Sequence, residues 1–77
     1  MPRTRRNYDE LAHRRALGQR VALLRAERGF VNQSEFARAV GMHRTYLSEV
    51  EAGTANPTLD TLARLARVLG VEIRDLF

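Results

Sequence analysis

Residues 42–53, MHRTYLSEVEAG, set Arg44, Thr45, Ser48 and Glu49 among four apolar side chains able to face a core: Met42, Tyr46, Leu47 and Val50. The polar four are groups that donate and accept hydrogen bonds. They lack the spacing of groups that make and break covalent bonds. His13 and His43 are far apart in sequence and have no companions at ligand spacing. Glu49 and Glu51, two apart on a helix, do not face each other and form no acid–base pair. There is no cysteine, hence no disulfide framework and no cysteine-based zinc site. No nucleophile, base and metal constellation can be assembled, so neither an enzyme, a metal nor a cofactor is expected.

The charge points elsewhere. All thirteen basic residues are arginine, against nine acids, giving a net charge of +4 and a pI near 11.0. Residues 1–28 hold eight arginines and three acids, a net of +5, whereas residues 29–77 hold five arginines and six acids, a net of −1. A basic N-terminal third suits a polyanionic partner, nucleic acid before membrane. A solubilising tail with a solvated helix face would give the same excess. The start, MPRTRRNYDE, has no apolar centre of a signal peptide, and no apolar run approaches the roughly 18 residues needed to span a bilayer. The expected location is the cytoplasm. At 77 residues the chain makes a single domain at most.

The elements that must position the polar four follow from starts and stops. Residues 1–7, with Arg3, Arg5 and Arg6, read as a flexible basic arm, and residues 8–77 as the domain. Asn7 and Glu10 have capping-box spacing. Leu11, Leu17, Val21 and Leu24 then follow at helical intervals, predicting a first helix from about Tyr8 to Arg28. Gly18 inside it costs about 1 kcal/mol relative to alanine; either the helix is two pieces or another element approaches closely there. Asn32 and Glu35 repeat the capping-box spacing ahead of a second helix, about 33–40, with Phe36, Ala37 and Val40 on one face. A third runs over about 44–52. Thr58 caps a fourth, on which Leu59, Leu62, Leu65, Ala66 and Leu69 form the apolar face, and VEIRDLF supplies a fifth short helix or turn. No segment alternates like a strand. The expected fold is all-α, five short helices around one core.

Across helices two and three, Gln33, Ala37, Gly41, Leu47 and Val50 fall at relative positions 1, 5, 9, 15 and 18. Ala37 is small enough for another helix to cross over it. Gly41 can take the positive φ that a tight turn between steeply angled helices needs. On a wheel, Tyr46, Leu47 and Val50 share one arc; Thr45, Ser48 and Ala52 lie opposite, with Arg44 and Glu49 on the flanks. A narrow rod with one apolar seam and short polar side chains outside is shaped to enter the major groove of double-stranded DNA, about 12 Å wide.

These segments (LGQRVALLRAERG, NQSEFARAVGM, HRTYLSEVEAG, NPTLDTLARLARVLGV and the closing DLF) resemble the Cro/repressor-type helix-turn-helix domains, the XRE or lambda-repressor-like family. Within it, HRTYLSEVE is most similar to the controller proteins of restriction–modification systems. The resemblance covers about residues 17–77. It implies a sequence-specific transcriptional regulator with no small-molecule effector domain, and it allows autoregulation of the kind controller proteins exert. It makes the third helix the recognition helix, with Arg44, Thr45 and Glu49 at base edges. Arg44 can bond a guanine bidentately, for roughly 1–3 kcal/mol of discrimination, and Glu49 can accept from cytosine N4. Gln33, Ser48 and Asn56 would contact the DNA backbone, and His43 lies near it or is simply exposed.

Two departures from the family pattern matter. Between Gly29 and Ala37 there is one residue more than usual, so either Asn32 caps helix two and Val31 bulges, or Gln33 is displaced and no longer reaches the DNA backbone. Ala52 and Thr54 stand where basic residues are common, and Arg3, Arg5 and Arg6 are expected to compensate along the backbone or in a minor groove. Glu27 and Glu51 are expected to pair with arginines inside the fold. Finally, Val71, Ile73, Leu76 and Phe77 either close the monomer's own core or form a two-fold dimer interface; the expectation is a homodimer on a pseudo-palindromic site. The rival reading is an antitoxin-type interaction module whose apolar C-terminal end binds a partner protein.

Overall fold

Start and stop signals in the sequence divide the described residues into four α-helices. In the computed structural model, which describes residues 10–77, α1 spans Glu10–Glu27, α2 Gln33–Val40, α3 Arg44–Ala52 and α4 Leu59–Leu69. The Asn32 side chain accepts the Glu35 N–H at 2.9 Å, and the Thr58 hydroxyl accepts that of Thr61 at 3.1 Å, so both expected N-caps are formed. The capping box at Asn7 and the residues before Glu10 lie outside the described residues. The fifth element is a single 3₁₀ turn, Ile73–Leu76, and not an α-helix. Gly70 ends α4 in the left-handed region, and residues 71–77 follow it. Their backbone closes tighter, i→i+3 bonds: Asp75 N–H to the Glu72 carbonyl at 2.9 Å and Phe77 N–H to that of Arg74 at 3.2 Å. No strand occurs among the described residues, and no helix there is long and apolar enough to cross a membrane.

The core is built from the expected faces. Val21, Phe36, Leu47, Val50, Leu65, Leu69 and Leu76 are the largest fully buried side chains, drawn from all four helices and the final turn. Phe30 packs its ring against Phe36 at a centroid distance of 5.1 Å. Two residues assigned to apolar faces are not in it. Leu11 is 53% exposed and Leu59 67% exposed. Both stand in the first turns of their helices, and the core begins further along, at Leu17 and at Leu62. Arginines tie the ends together. Arg28 donates to the Leu69 carbonyl at 2.7 Å, capping the C-terminus of α4, and Arg20 donates to the Asp75 carbonyl at 2.8 Å.

Gly18 leaves α1 continuous and serves a close approach. A Cβ built there would stand 2.4 Å from the Val50 carbonyl oxygen and 2.5 Å from that of Glu51. On the other side of the same crossing, Gly53 ends α3 at φ +82°, and a Cβ there would lie 2.7 Å from Arg15 Cγ and 2.8 Å from Arg15 Cα. Two glycines, one from each element, therefore let α1 press backbone to backbone on the C-terminal end of α3.

A hydrogen-bonded knot fixes the third side. Arg25 grips Glu51 with two bonds, Nε to Oε2 at 2.7 Å and Nη2 to Oε1 at 3.2 Å. Its Nη1 also donates to the carbonyls of Phe30 at 2.7 Å and Val31 at 3.2 Å. Gln33 Nε2 completes the set by donating to Glu51 Oε1 at 2.8 Å. Arg25 of α1 thus joins the α1–α2 loop to the end of α3, and Glu51 ties in the start of α2 through Gln33. Of the two acids expected to pair internally, Glu51 does so, while Glu27 is exposed and pairs with no arginine among the described residues.

Two stability measurements test this frame. Gly18→Ala should destabilise by about 1–3 kcal/mol in urea unfolding, because overpacking against fixed carbonyls outweighs the helix-propensity gain of about 1 kcal/mol. Equal or greater stability would mean that α1 is not held at this distance. Glu51→Gln leaves the nearly buried Arg25 cation, 14% exposed, without its anion; the expected loss is about 3 kcal/mol, read as a lower urea midpoint, and a shift below a few tenths would remove the knot from the frame.

Candidate DNA-binding surface

The frame decides what α3 shows to solvent. Leu47 and Val50 are buried, at 0% and 1% exposure, and Tyr46 packs half-buried against the same core. Arg44, Thr45 and Glu49 are exposed, together on the free side of the helix. They sit in its first two turns, with no carboxylate in the first turn to neutralise Arg44. Ser48, assigned by the wheel to the outer face, is half-buried and lies at the edge of that surface. His43 occupies the N-cap position, its side chain makes no capping bond, and it is exposed. The turn before it depends on Gly41, at φ +87°.

The structure also separates the residues expected at the DNA backbone. Gln33, at the start of α2, is half-buried and has its amide nitrogen committed to Glu51, so it braces the end of α3. The extra residue ahead of α2 does not displace it: Asn32 caps the helix and Val31 is turned out, 84% exposed. Asn56 is exposed on the α3–α4 loop and lines a cleft with Glu10, His13 and Arg14 of α1. A nine-residue helix is about 13 Å long, so Asn56 and Arg44 flank opposite ends of α3. Arg3, Arg5 and Arg6 lie outside the described residues.

The C-terminal four divide. Leu76 is fully buried in the chain's own core, which corrects its assignment to a dimer surface; it has no area left to offer a second copy. Val71 and Ile73 are half-buried against that core. Phe77 is 74% exposed beside a cleft that Leu17, Pro57 and Leu62 also line.

The residue that sequence reasoning missed is Arg25. The weak signal for it was an acid, Glu51, at the end of a helix where the family usually continues with a basic residue. Nothing in the spacing of one chain identifies which of thirteen arginines reaches that acid. Among the described residues no group of three or more histidine or acidic side chains could hold a metal ion.

Comparison with known proteins gives this geometry a family. Residues 21–76 match the helix-turn-helix family. The chain is 37% identical over 59 residues to the control protein C.BamHI of Bacillus amyloliquefaciens, covering 77% of this chain and 73% of that one. It is 33% identical over 60 residues to the control protein C.MunI of a Mycoplasma species, covering 78% and 81% of the two chains. The crystal structure of the restriction–modification controller protein C.AhdI from Aeromonas hydrophila superposes with a TM-score of 0.80 at 36% identity, covering 86% of this chain and 98% of that one. The exposed polar face of α3, the glycine turn before it and these matches lead to one conclusion: the chain belongs to the Cro/repressor-type helix-turn-helix family and is a DNA-binding transcriptional regulator.

Proposed function

We propose that the chain acts as a homodimer on a pseudo-palindromic operator and, like the controller proteins it is similar to, governs expression of a restriction–modification system, its own gene included. The observation behind this reading is the division of α3, whose apolar side is buried while Arg44, Thr45 and Glu49 face solvent together on a rigidly braced rod. In this reading Arg44 bonds a guanine through its O6 and N7, Glu49 accepts from a cytosine one turn along, and Thr45 meets a neighbouring base edge. His43, Ser48 and Asn56 touch phosphate or sugar, the backbone of Gln33 does the same at the start of α2, and Arg3, Arg5 and Arg6 of a basic arm spanning residues 1–7 add sequence-independent charge. The protein works in the cytoplasm, without catalysis of its own.

The dimer reading rests on Phe77. A large aromatic side chain left 74% exposed beside Leu17, Pro57 and Leu62 supports a contact with the same patch on a second copy. Pairing about a two-fold axis would set the two α3 helices roughly 34 Å apart, one turn of DNA.

Selection from random duplex DNA at stated salt should enrich a pseudo-palindrome. Arg44→Ala should then lose preference at one base pair per half-site, for roughly 1–3 kcal/mol, while binding unrelated duplex as before. A selection that enriches no sequence would overturn the reading. Sedimentation should find the wild-type chain dimeric at micromolar concentration and Phe77→Glu shifted to monomer; a wild type that stays monomeric both free and on DNA would refute the dimer.

A further inference from the structure

The α2–α3 turn carries a basic cleft that the DNA contacts assigned to α3 barely use. Arg38 on the last turn of α2, Gly41 and Met42 in the turn, and His43 at the N-cap of α3 line an open depression of about 350 Å³. Arg64 reaches it from α4: its Nη1 donates to the Gly41 carbonyl at 3.4 Å. Arg38 is exposed, and its guanidinium has no ion pair or hydrogen bond among the described residues. Two acids stand near in sequence, Glu35 before Arg38 and Asp60 before Arg64, and neither forms an ion pair with them. Two donors, Arg38 and His43, thus line one concave surface, and a second permanent charge, Arg64, is held beside it through Gly41.

The occupant follows from place and chemistry. Guanidinium groups present paired N–H donors in the geometry of a phosphate. The cleft adjoins Arg44, the first residue of α3, which the proposed function puts at base edges. A helix in the major groove has a phosphate wall along each side, so a basic group just behind its tip meets that wall. At the opposite end of α3, Ala52 and Thr54 carry no charge. We propose that Arg38 and Arg64, with His43, hold a phosphate of the DNA backbone at the α2–α3 turn and anchor the recognition helix from its N-terminal end. The proposal rests on α3 being the helix that enters the groove.

Fluorescence anisotropy of the full chain on the selected operator and on an unrelated duplex, between 50 and 200 mM salt, tests it. Arg38→Ala should weaken both complexes by a similar factor and reduce the slope of log K against log salt by about 1. Adding Arg64→Ala should reduce it by about 1 more. Arg38 has no side-chain partner among the described residues, so its variant carries the test even where loss of the Arg64 bond loosens the turn. Arg67→Ala removes the same charge from the exposed last turn of α4 and should leave the slope unchanged; an equal loss there would reveal a diffuse field and overturn the site. An unchanged slope in Arg38→Ala would also overturn it, including where that variant loses an acidic protein partner instead. If Arg44→Ala still relaxes one base pair while Arg38→Ala changes nothing, the phosphate site fails and the DNA-reading assignment stands. If Arg38→Ala changes the slope but no sequence is enriched, the site survives and the assignment fails.

Discussion

Where α1 crosses α3, the Gly18 position lies so close to the carbonyl oxygens of Val50 and Glu51 that a Cβ would come within 2.4 Å and 2.5 Å of them. Hard-core repulsion leaves no side chain but hydrogen there, and the rest of the architecture depends on it. With α1 seated at that depth, Arg15 covers Gly53, Arg25 comes level with Glu51, and Leu17, Val21 and Leu24 of α1 enter the core. A helix held farther off would open a gap in a core of only fourteen buried apolar residues among those described, and small cores tolerate voids poorly.

The Arg25 knot then converts position into orientation. Glu51 receives hydrogen bonds from both Arg25 and Gln33, so the start of α2 and the end of α3 are pinned to one carboxylate. Its oxygens are occupied in a nearly dry site, and no buried side-chain polar atom among the described residues lacks a partner. That arrangement makes the network rigidifying instead of costly. A recognition helix is useful only if its exposed side chains arrive at base edges in a fixed pose, because direct readout is a matter of hydrogen-bond geometry. The ionic knot lies at the far end of α3 from Arg44, and the end that carries Arg44 has no acid in its first turn. In the proposed function, stability and recognition are therefore carried by different ends of the same short rod.

Much of this was legible in the chain. Asn32 and Thr58 cap their helices, and Gly41 turns the chain, where the sequence predicts, since capping is local chemistry with local signatures. The apolar intervals mark the seam of α3 and the core face of α4, because periodicity reports which side is buried. Local reasoning stopped at element edges. Leu11 and Leu59 obey the period yet stay exposed, for the period cannot say whether anything stands opposite the first turn. Leu76 and Phe77, neighbours with the same apolar character, go to opposite fates, one at 0% and the other at 74% exposure. The backbone of a 3₁₀ turn sends adjacent side chains in different directions.

The order of residues alone suffices for the four α-helices among the described residues, for the exposed polar face of α3 and for the resemblance to the family. The helices and the polar face rest on caps, turns and periodicity, all interactions between residues a few positions apart, and the family rests on the resemblance of whole segments. Only the folded arrangement settles that Gly18 is a point of close approach and not a break, that Asn32 caps α2 while Val31 turns outward, and that Arg25 is the arginine answering Glu51 twenty-six positions away. Each of those choices depends on which backbones meet in space, and no local pattern encodes a meeting between segments that the chain itself keeps apart.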